Sequence, residues 1–343
     1  MEWNSPSSVS SLVKTTPTCK QLSLIRYNPT FMRKAAVFYN PLSGRRRERR
    51  VAEVEAAARV LREAGVEAFL APTRGAAESG EQAREAIASG CDTILACGGD
   101  GTVHDLLQGV AGSEAALGII PLGTANALAH DLLLPRGAAS AARAMLTASL
   151  RRVSIGQVSY IAFDRRPASR YFIVAAGVGV DAHLFYALNP LVKSRLGMAA
   201  YYVKATRLWL THPLENFEVE IGQNGATQTL LVSQLLAVRI RNFGGVLREL
   251  APGASLDRDD LRLVLFRTRS RIAYLRYVTR GLLARPWTIP GIELMHSKTV
   301  VCRGVLSKPK PDSRIFVEAD GELLGTIPAE ISIAPMQVNL LVP

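Results

Sequence analysis

Three glycines and one carboxylate directly follow a short apolar run in the first third of the chain. Gly98, Gly99 and Gly101 surround Asp100, and Thr102 precedes an apolar pattern with helical spacing. Glycines let the backbone approach an anion closely, and the first N–H groups of a helix point toward it, so this turn is suited to binding phosphates. Thr102 is expected to cap that helix. A carboxylate beside phosphate oxygens repels them unless a cation lies between, so Asp100 predicts magnesium as well as a nucleotide.

A second polar turn ends the next apolar run. Residues 117–120 are apolar, and Gly123, Thr124 and Asn126 follow them. One such turn alone would favour a plain strand-turn-helix corner, but two at the ends of successive strands are typical of an α/β nucleotide crevice. The chain has no Gly-Lys-Ser/Thr phosphate loop. Residues 177–182 match the dinucleotide fingerprint only in form, because they lie far from the first strand.

Six segments, taken in order, resemble the diacylglycerol kinase catalytic domain family, which includes bacterial soluble lipid kinases and the sphingosine and ceramide kinases. The resemblance begins near residue 33 and reaches the C-terminus. The glycine-aspartate turn alone would be weak support, since NAD kinases and phosphofructokinases share it. The six segments are Asn40 to Gly44, Gly98 to Thr102, Pro121 to Asn126, Ala176 to Ala182, Asn242 to Gly245 with Leu250 to Pro252, and Asp320 to Glu322.

The resemblance implies a lipid kinase that uses ATP and Mg²⁺ and transfers the γ-phosphate to a lipid hydroxyl, diacylglycerol-like by first choice. Asp100 would act mainly through magnesium, and Asp320 would be the general base that accepts the hydroxyl proton. Asp100 competes for the role of base. The residues expected to bind the nucleotide are Asn40, Gly44, Gly98, Gly99, Gly101, Thr102, Gly123, Thr124 and Asn126.

Asp320 has a second interpretation, because Asp-Gly between apolar runs is also a signal for a hairpin turn. Two departures from the family pattern limit what is carried over. Residues 126–129 read Asn-Ala-Leu-Ala where many members have a further aspartate, and Asp131 need not replace it. Residues 257–262 carry arginine at two acidic positions of a stretch that can bind a structural magnesium, which places that accessory metal in doubt.

The order of elements predicts two domains. Strand and helix patterns alternate up to about residue 151, which predicts an α/β ATP-binding domain over residues 33–151 with a mainly parallel sheet. Short strands separated by turns follow, which predicts a β-sandwich lipid-binding domain over residues 152–343, whose last segment is a candidate to return to the first domain. Residues 1–32, rich in serine, threonine and lysine, predict a disordered extension.

Composition bears on the partners. The formal net charge is +12 and the pI is about 9.9. A compositional bias of the source genome explains this charge as well as a basic binding face does. If the charge acts, an anionic membrane surface is the favoured partner, and nucleic acid is disfavoured because no RNA-binding or helix-turn-helix signature is present. Residues 191–210 and 272–287 are basic and aromatic, which fits a packed core helix or a membrane-facing surface.

Four cysteines without CxxC spacing predict reduced thiols in a cytoplasmic protein. No apolar stretch is long enough to span a bilayer, so contact with the inner face of the membrane is expected to be peripheral. A homodimer is left open. The competing functions are a sphingoid-base or ceramide kinase, an NAD kinase, a non-catalytic lipid-binding protein of the same fold, and an electrostatic nucleic-acid binder.

Overall fold

The computed structural model describes residues 32–41, 47–179, 214–223, 226–244, 249–283, 288–305 and 314–343. The predictions for Gly44, Gly245, residues 1–31, residues 180–182, the segment 191–210 and residues 284–287 lie outside the described residues.

Four parallel strands form one end of a single large sheet, in the order β2-β1-β3-β4. Every residue of β3 is buried, because helices cover both faces of this part of the sheet and form two separate apolar clusters. The alternation of strands and helices expected from the sequence is therefore confirmed. The elements are β1 (Lys34–Tyr39), α1 (Arg47–Glu63), β2 (Glu67–Pro72), α2 (Ala76–Ala88), β3 (Thr93–Gly98), α3 (Asp100–Val110), β4 (Ala116–Pro121), α4 (Ala127–Asp131) and α5 (Ala138–Leu146).

The second half of the chain is built from antiparallel strands and one described helix. Its strands enclose a third apolar cluster, which includes Phe172, Phe217 and Ile331. The elements are β5 (Ser149–Ala162), β6 (Pro167–Phe172), β7 (Ala175–Gly179), β8 (Phe217–Gln223), β9 (Ala226–Val232), β10 (Gln234–Val238), β11 (Leu261–Phe266), α6 (Arg271–Leu283), β12 (Ile292–Ser297), β13 (Thr299–Gly304), β14 (Phe316–Ala319) and β15 (Glu322–Val342).

The long final strand β15 joins the two halves. It pairs antiparallel with β5, β13 and β14, and near its end Asn339 and Leu340 pair in parallel with Ala116 and Leu117 of β4. The strands of the parallel half and of the antiparallel half thereby belong to one continuous sheet. This arrangement confirms the predicted fold class, a mainly parallel α/β half with a β-sandwich-like second half.

The register of the parallel strands brings the polar turns together. Gly98 at the end of β3 pairs with Pro121 at the end of β4, and Cys97 pairs with Tyr39 of β1. The loops that begin at Asn40, Gly99 and Leu122 therefore leave the same carboxyl edge of the sheet, which is where α/β proteins of this kind bind ligands.

The helix α6 covers part of the second half with one face. Its residues Ala273, Tyr274 and Tyr277 are buried, and they pack in a cluster with Phe266 of β11 and Val238 of β10. Among the described residues, no helix combines the length and the apolar character needed to cross a bilayer.

Candidate active site

The two glycine turns lie against each other at the carboxyl edge. A Cβ added to Gly123 would lie 2.4 Å from the Cα of Gly99, and one added to Gly99 would lie 3.2 Å from the Cα of Gly123. Neither glycine has a positive φ, so close approach of the two backbones is what requires glycine here. The sequence anticipated the position of these turns, and their mutual contact is seen only in the structure.

The prediction that Thr102 caps the helix is wrong. The N-cap of α3 is Gly99, which has no side chain to cap with, and Thr102 is the third residue of the helix. Its N–H donates to the carbonyl of Gly99 (3.0 Å). A Cβ on Gly98 would come within 2.3 Å of the Thr102 hydroxyl oxygen, so the threonine packs back over the end of β3.

Asn126 shapes the second turn with its own side chain. It adopts a left-handed conformation (φ 50°) at the N-cap of α4. Its amide group makes two hydrogen bonds with the backbone of Gly123, accepting from the N–H and donating to the carbonyl at 2.9 Å each. Both ends of the amide are used within the turn, so Asn126 acts on the crevice by fixing its backbone.

Asp100 faces the start of α4. The backbone N–H groups of Asn126, Ala127 and Leu128 lie near its carboxyl group and favour its ionised form. Burial and the negative charge of Asp320 nevertheless raise the pKa of Asp100, and these N–H groups only partly oppose that shift. The carboxylate of the first glycine turn thus lies against the second turn.

Asp320 is both a turn residue and a site residue. Asp320 and Gly321 have φ values of 50° and 84° and connect β14 to β15 as a two-residue hairpin turn, which bears out the turn interpretation. The Asp320 side chain is 2% exposed and accepts N–H hydrogen bonds from Ile173 (3.1 Å), Val174 (2.9 Å) and Ala175 (3.1 Å). The hairpin thereby aims its carboxylate inward rather than into solvent.

A histidine from the other half completes the surroundings of that carboxylate. His104 Nδ1 lies 3.2 Å from Asp320 Oδ2, and the His104 side chain is 4% exposed. Burial alone would lower the pKa of His104, but the neighbouring carboxylates of Asp320, Asp105 and Glu322 outweigh it and raise that pKa. The pair joins positions 216 residues apart in the sequence.

Two further carboxyl groups border this pair. Burial raises the pKa of Asp105 to about 6, with the nearby charge of Glu322 adding to the shift and His104 and Arg170 opposing it. Burial and the charge of Asp320 also raise the pKa of Glu322, against the effect of His104. Glu322 nonetheless presents an exposed surface, and its carboxyl oxygen would lie 2.9 Å from a Cβ on Gly101. The β14–β15 turn therefore meets the first glycine turn directly.

One face of α3 carries the contacts between the halves. Asp100, His104 and Gln108 are four residues apart, so they lie above one another on the helix. Gln108 makes two hydrogen bonds of 2.9 Å with the backbone of Tyr171, just before the segment that holds Asp320. The helix thus positions the segment 171–175 and the carboxylate together.

Asp131 makes a comparable contact on the other side of the crevice. Its carboxylate accepts from the backbone N–H groups of Arg241 (3.0 Å) and Asn242 (2.8 Å). Next to it, Gly244 has a φ of 75°, and a Cβ there would lie 2.1 Å from the His130 ring. The motif around Asn242 therefore packs against α4, and Asp131 has a structural task that the sequence did not indicate.

The stretch 257–262, whose arginines place an accessory metal in doubt, lies against a buried arginine. Arg239 is fully buried, and its guanidinium donates to the carbonyl oxygens of Ser154 (2.8 Å), Arg258 (2.8 Å) and Asp260. Burial lowers the pKa of Arg239 to about 10, still well above neutral. A cation of the protein itself therefore occupies the centre of this carbonyl cluster, and Arg258 pairs with the carboxylate of Asp260.

Magnesium at the nucleotide site would need ligands beyond the protein. Within the part of the chain that the structure describes, no group of three or more His, Cys, Asp or Glu side chains is arranged to hold a metal. Mg²⁺ is commonly bound by one or two carboxylates together with substrate phosphates and water. Burial first, and then the charge of Asp320, raise the pKa of both Asp100 and Glu322, so a cation shared with phosphates fits the charge here.

Sequence reasoning missed His104, Asp105 and the N–H groups of residues 173–175. His104 follows Asp100 by four residues on a predicted helix, and that spacing was the available signal. No local pattern marks residues 173–175, because only pairing of distant strands brings them to Asp320. Asn40 lies at the carboxyl edge as expected, at the end of β1.

The fold and the site together define a class, a two-part kinase with a parallel nucleotide-binding half and a β-sandwich-like half. Residues 34–158 match the diacylglycerol kinase catalytic domain, and residues 173–342 match the YegS C-terminal NAD kinase beta sandwich-like domain. The two matches together span most of the chain. The chain belongs to the diacylglycerol kinase catalytic domain family.

Relatives and solved structures agree with this membership. The chain is 28% identical over 284 residues to the diacylglycerol kinase of Bacillus subtilis strain 168, covering 82% of this chain and 88% of the relative. It is 25% identical to a diacylglycerol kinase of Staphylococcus epidermidis, over 82% of this chain and 84% of that one. A Bacillus anthracis structure titled as a diacylglycerol kinase superimposes with a TM-score of 0.64 at 18% identity, covering 91% and 97% of the two chains, which shows a shared fold.

Proposed function

We propose that this protein is an ATP-dependent lipid kinase that phosphorylates the hydroxyl of a diacylglycerol-like lipid. Family membership supports a kinase, and the names of its relatives support diacylglycerol as the acceptor. One structural observation carries the proposal for the site. The Asp320 turn of the second half contacts the glycine turn of the first half, through His104 and across Gly101, so the carboxylates border the expected phosphate site.

The nucleotide half is proposed to be residues 33–151, with the triphosphate along the carboxyl edge. Gly98, Gly99, Gly101 and Thr102 begin α3, where unpaired N–H groups and the helix dipole favour phosphate. Gly123, Thr124 and Asn126 form the facing turn, and Asn40 and Gly44 belong to the first loop. Asp100 is proposed to bind magnesium jointly with the phosphates. When bound, the ion would neutralise charge on the transferred phosphoryl group.

The lipid half is proposed to be residues 152–343, with Asp320 as the general base. Phosphoryl transfer depends mainly on positioning and charge neutralisation, and the acceptor hydroxyl must lose a proton as it attacks. Three N–H groups and His104 fix the Asp320 carboxylate in one orientation. A base fixed in this way by both halves would be correctly placed only when the crevice is assembled.

Glu322 is a second candidate for the proton acceptor, and a specific observation favours it. The Asp320 carboxylate is buried and already has four hydrogen-bond partners, whereas Glu322 is exposed to an incoming hydroxyl and burial raises its pKa. In that arrangement Asp320 would position the turn and Glu322 would accept the proton. The pH profiles of the Asp320→Asn and Glu322→Gln variants separate the two assignments.

The deciding experiment measures transfer of the γ-phosphate from ATP and Mg²⁺ to a panel of detergent-dispersed acceptors. The panel is diacylglycerol, sphingosine, ceramide and phosphatidylglycerol, with NAD as the non-lipid control. We expect phosphorylated diacylglycerol as the main product and its loss in Asp320→Asn with ATP binding retained. A product from sphingosine or ceramide would change the substrate, transfer to NAD alone would overturn the lipid assignment, and ATP-independent lipid binding without transfer would indicate a non-catalytic protein.

The proposed location is the cytoplasm, with peripheral contact to the inner face of the membrane. Three cysteines, Cys91, Cys97 and Cys302, are buried and unbridged, which is compatible with a reducing compartment. Burial raises the pKa of the Cys97 thiol to about 12, so it is not a reactive group. A role in phospholipid metabolism follows from the proposed substrate, and a homodimer is a further proposal that size measurements in solution would test.

A further inference from the structure

The outward face of α6 carries a row of exposed aliphatic side chains. Ile272 is 64% exposed, Leu275 is 54% exposed and Val278 is 43% exposed. Their spacing of three residues aligns them along one side of the helix. Large aliphatic side chains exposed in a contiguous row are unusual on a protein surface and indicate an interaction site.

The opposite face of α6 is firmly fixed to the body of the protein. Tyr274 and Tyr277 pack against Phe266, with ring centroids 4.5 Å and 4.9 Å away. The Tyr274 hydroxyl lies 2.8 Å from that of Ser233, and the Tyr277 hydroxyl donates to the carbonyl of Leu250 (2.8 Å). The helix therefore cannot turn its aliphatic row inward without breaking these contacts, and the row is open to a partner.

The charge around the row selects the kind of partner. Residues 267–283 contain five arginines and neither aspartate nor glutamate. Arg269 and Arg276 are exposed beside the aliphatic row. A helix with an aliphatic face flanked by arginines is suited to the boundary between headgroups and acyl chains of an anionic bilayer. A second copy of this chain is disfavoured, because an interface formed by the same patch of both copies would gather two sets of arginines and no carboxylate from residues 267–283.

The position of α6 relates the row to the candidate site. The cluster under α6 includes Ala175 and Phe243 at its margin. The N–H of Ala175 donates to Asp320, and Phe243 belongs to the motif that packs beside α4. A surface docked through α6 would therefore be close in the structure to the segment that orients the proposed catalytic carboxylate.

We infer that α6 is a membrane-docking helix that inserts Ile272, Leu275 and Val278 among the acyl chains of an anionic phospholipid bilayer, with Arg269 and Arg276 on the headgroups. This inference rests on the proposed lipid kinase function, for which it supplies the approach to the substrate. Of the two basic and aromatic segments singled out in the sequence, only residues 272–283 lie within the described part of the chain, and α6 there has both a packed face and an exposed one.

The test measures cosedimentation of the full chain with phosphatidylglycerol–phosphatidylcholine vesicles and with phosphatidylcholine vesicles. The triple variant Ile272→Gln, Leu275→Gln, Val278→Gln keeps good helix formers on the exposed face, and Leu231→Gln is the matched control, since Leu231 is 48% exposed on β9. We expect the triple variant to bind anionic vesicles at least about tenfold more weakly, and the control to bind as the parent does.

The charges are tested separately. Arg269→Gln and Arg276→Gln should each weaken binding to the anionic vesicles by about fivefold, and the loss should shrink as salt is added. Arg143→Gln is the control, because Arg143 is exposed on α5 in the other half of the chain. Equal binding of the parent to neutral and anionic vesicles would overturn the proposed role of the arginines.

Activity on dispersed dioctanoylglycerol, a short-chain substrate, distinguishes this inference from the proposed function. If the triple variant loses vesicle binding but keeps that activity and the thermal stability of the parent, docking through α6 is supported. If it binds vesicles normally, docking through α6 is wrong even where kinase activity stands. If the parent transfers phosphate to no lipid but the triple variant still loses vesicle binding, docking through α6 is upheld and the kinase proposal is overturned. If the parent is a dimer, and the triple variant is a monomer that binds vesicles normally, the exposed face of α6 is a subunit contact instead.

Discussion

Asp100 and Asp320 each face three consecutive backbone N–H groups in the two halves of the molecule, yet their surroundings differ. Asp320 accepts hydrogen bonds from the N–H groups of residues 173–175, whereas those of residues 126–128 lie near Asp100 and favour its ionised form. Asp320 is in addition fully buried and paired with His104, whereas Asp100 is only half-buried. The difference suggests that Asp100 remains available to a cation and that Asp320 has a fixed orientation.

The largest expected effect is that of Asp320→Asn. An amide cannot accept a proton from the acceptor hydroxyl, and its NH₂ group would face N–H donors, so kcat should fall by about 10³-fold or more while the Kd for ATP changes little. Steady-state kinetics and ATP titration check this. Loss of stability of about 1–3 kcal/mol from the mismatched donors is expected as well, so activity is compared at a temperature where both proteins are folded. A kcat within tenfold of the parent, with Glu322→Gln inactive, would transfer the role of base to Glu322.

His104→Ala tests whether the histidine is what distinguishes Asp320 from Asp100. It removes the buried partner of a buried carboxylate and leaves a cavity, so the free energy of unfolding should fall by about 2–4 kcal/mol. The raised pKa of His104 means that its contribution is fully present below its ordinary pKa and is lost as the pH rises through the raised value. The free energy of unfolding, measured with denaturant from about pH 5 to about pH 9 to span the ordinary pKa of histidine, should show this loss in the parent and not in the variant.

Asp100→Asn examines the other carboxylate. The amide can still accept from part of the α4 start but offers no charge to a metal, so the Mg²⁺ concentration for half-maximal activity should rise by about tenfold. The fall in kcat at saturating Mg²⁺ should be smaller than that of Asp320→Asn. Titration of activity with Mg²⁺ at fixed ATP measures both quantities, and an unchanged Mg²⁺ dependence would remove Asp100 from the proposed metal site.

The smallest effect is expected for Asp105→Asn, which reduces the crowding of carboxylates around His104. The pKa of Asp105 is raised from 3.8 to about 6, so the folded chain holds this proton more tightly than the unfolded chain does. Its contribution to stability is present below pH 3.8 and is lost as the pH rises through 6. The variant should therefore be more stable than the parent by roughly 1–2 kcal/mol at pH 7, with little difference near pH 4. Equal stability of the two proteins at both pH values would contradict the raised pKa, which burial and then the charge of Glu322 produce.

Local signals in the sequence were sufficient for much of the first half. Alternating strands and helices and the two glycine turns depend on residues near one another in the chain, and the structure has them with small shifts of boundary. The cap predicted at Thr102 was wrong, because the turn is closed by backbone contact between Gly99 and Gly123 and leaves the N-cap to Gly99. The site residues proposed for nucleotide binding remain predictions.

The sequence by itself determined the family, the fold class and the two turns. Ordered motifs indicate the family, periodicity indicates the fold class, and glycine spacing indicates the turns. Only the tertiary structure decided what surrounds Asp320, since His104 and residues 173–175 reach it through strand pairing across more than 140 positions. It also decided which face of α6 is exposed, because the more apolar Ile272 and Leu275 face outward while Tyr274 and Tyr277 are buried. Packing against Phe266 makes that choice, and no local pattern encodes it.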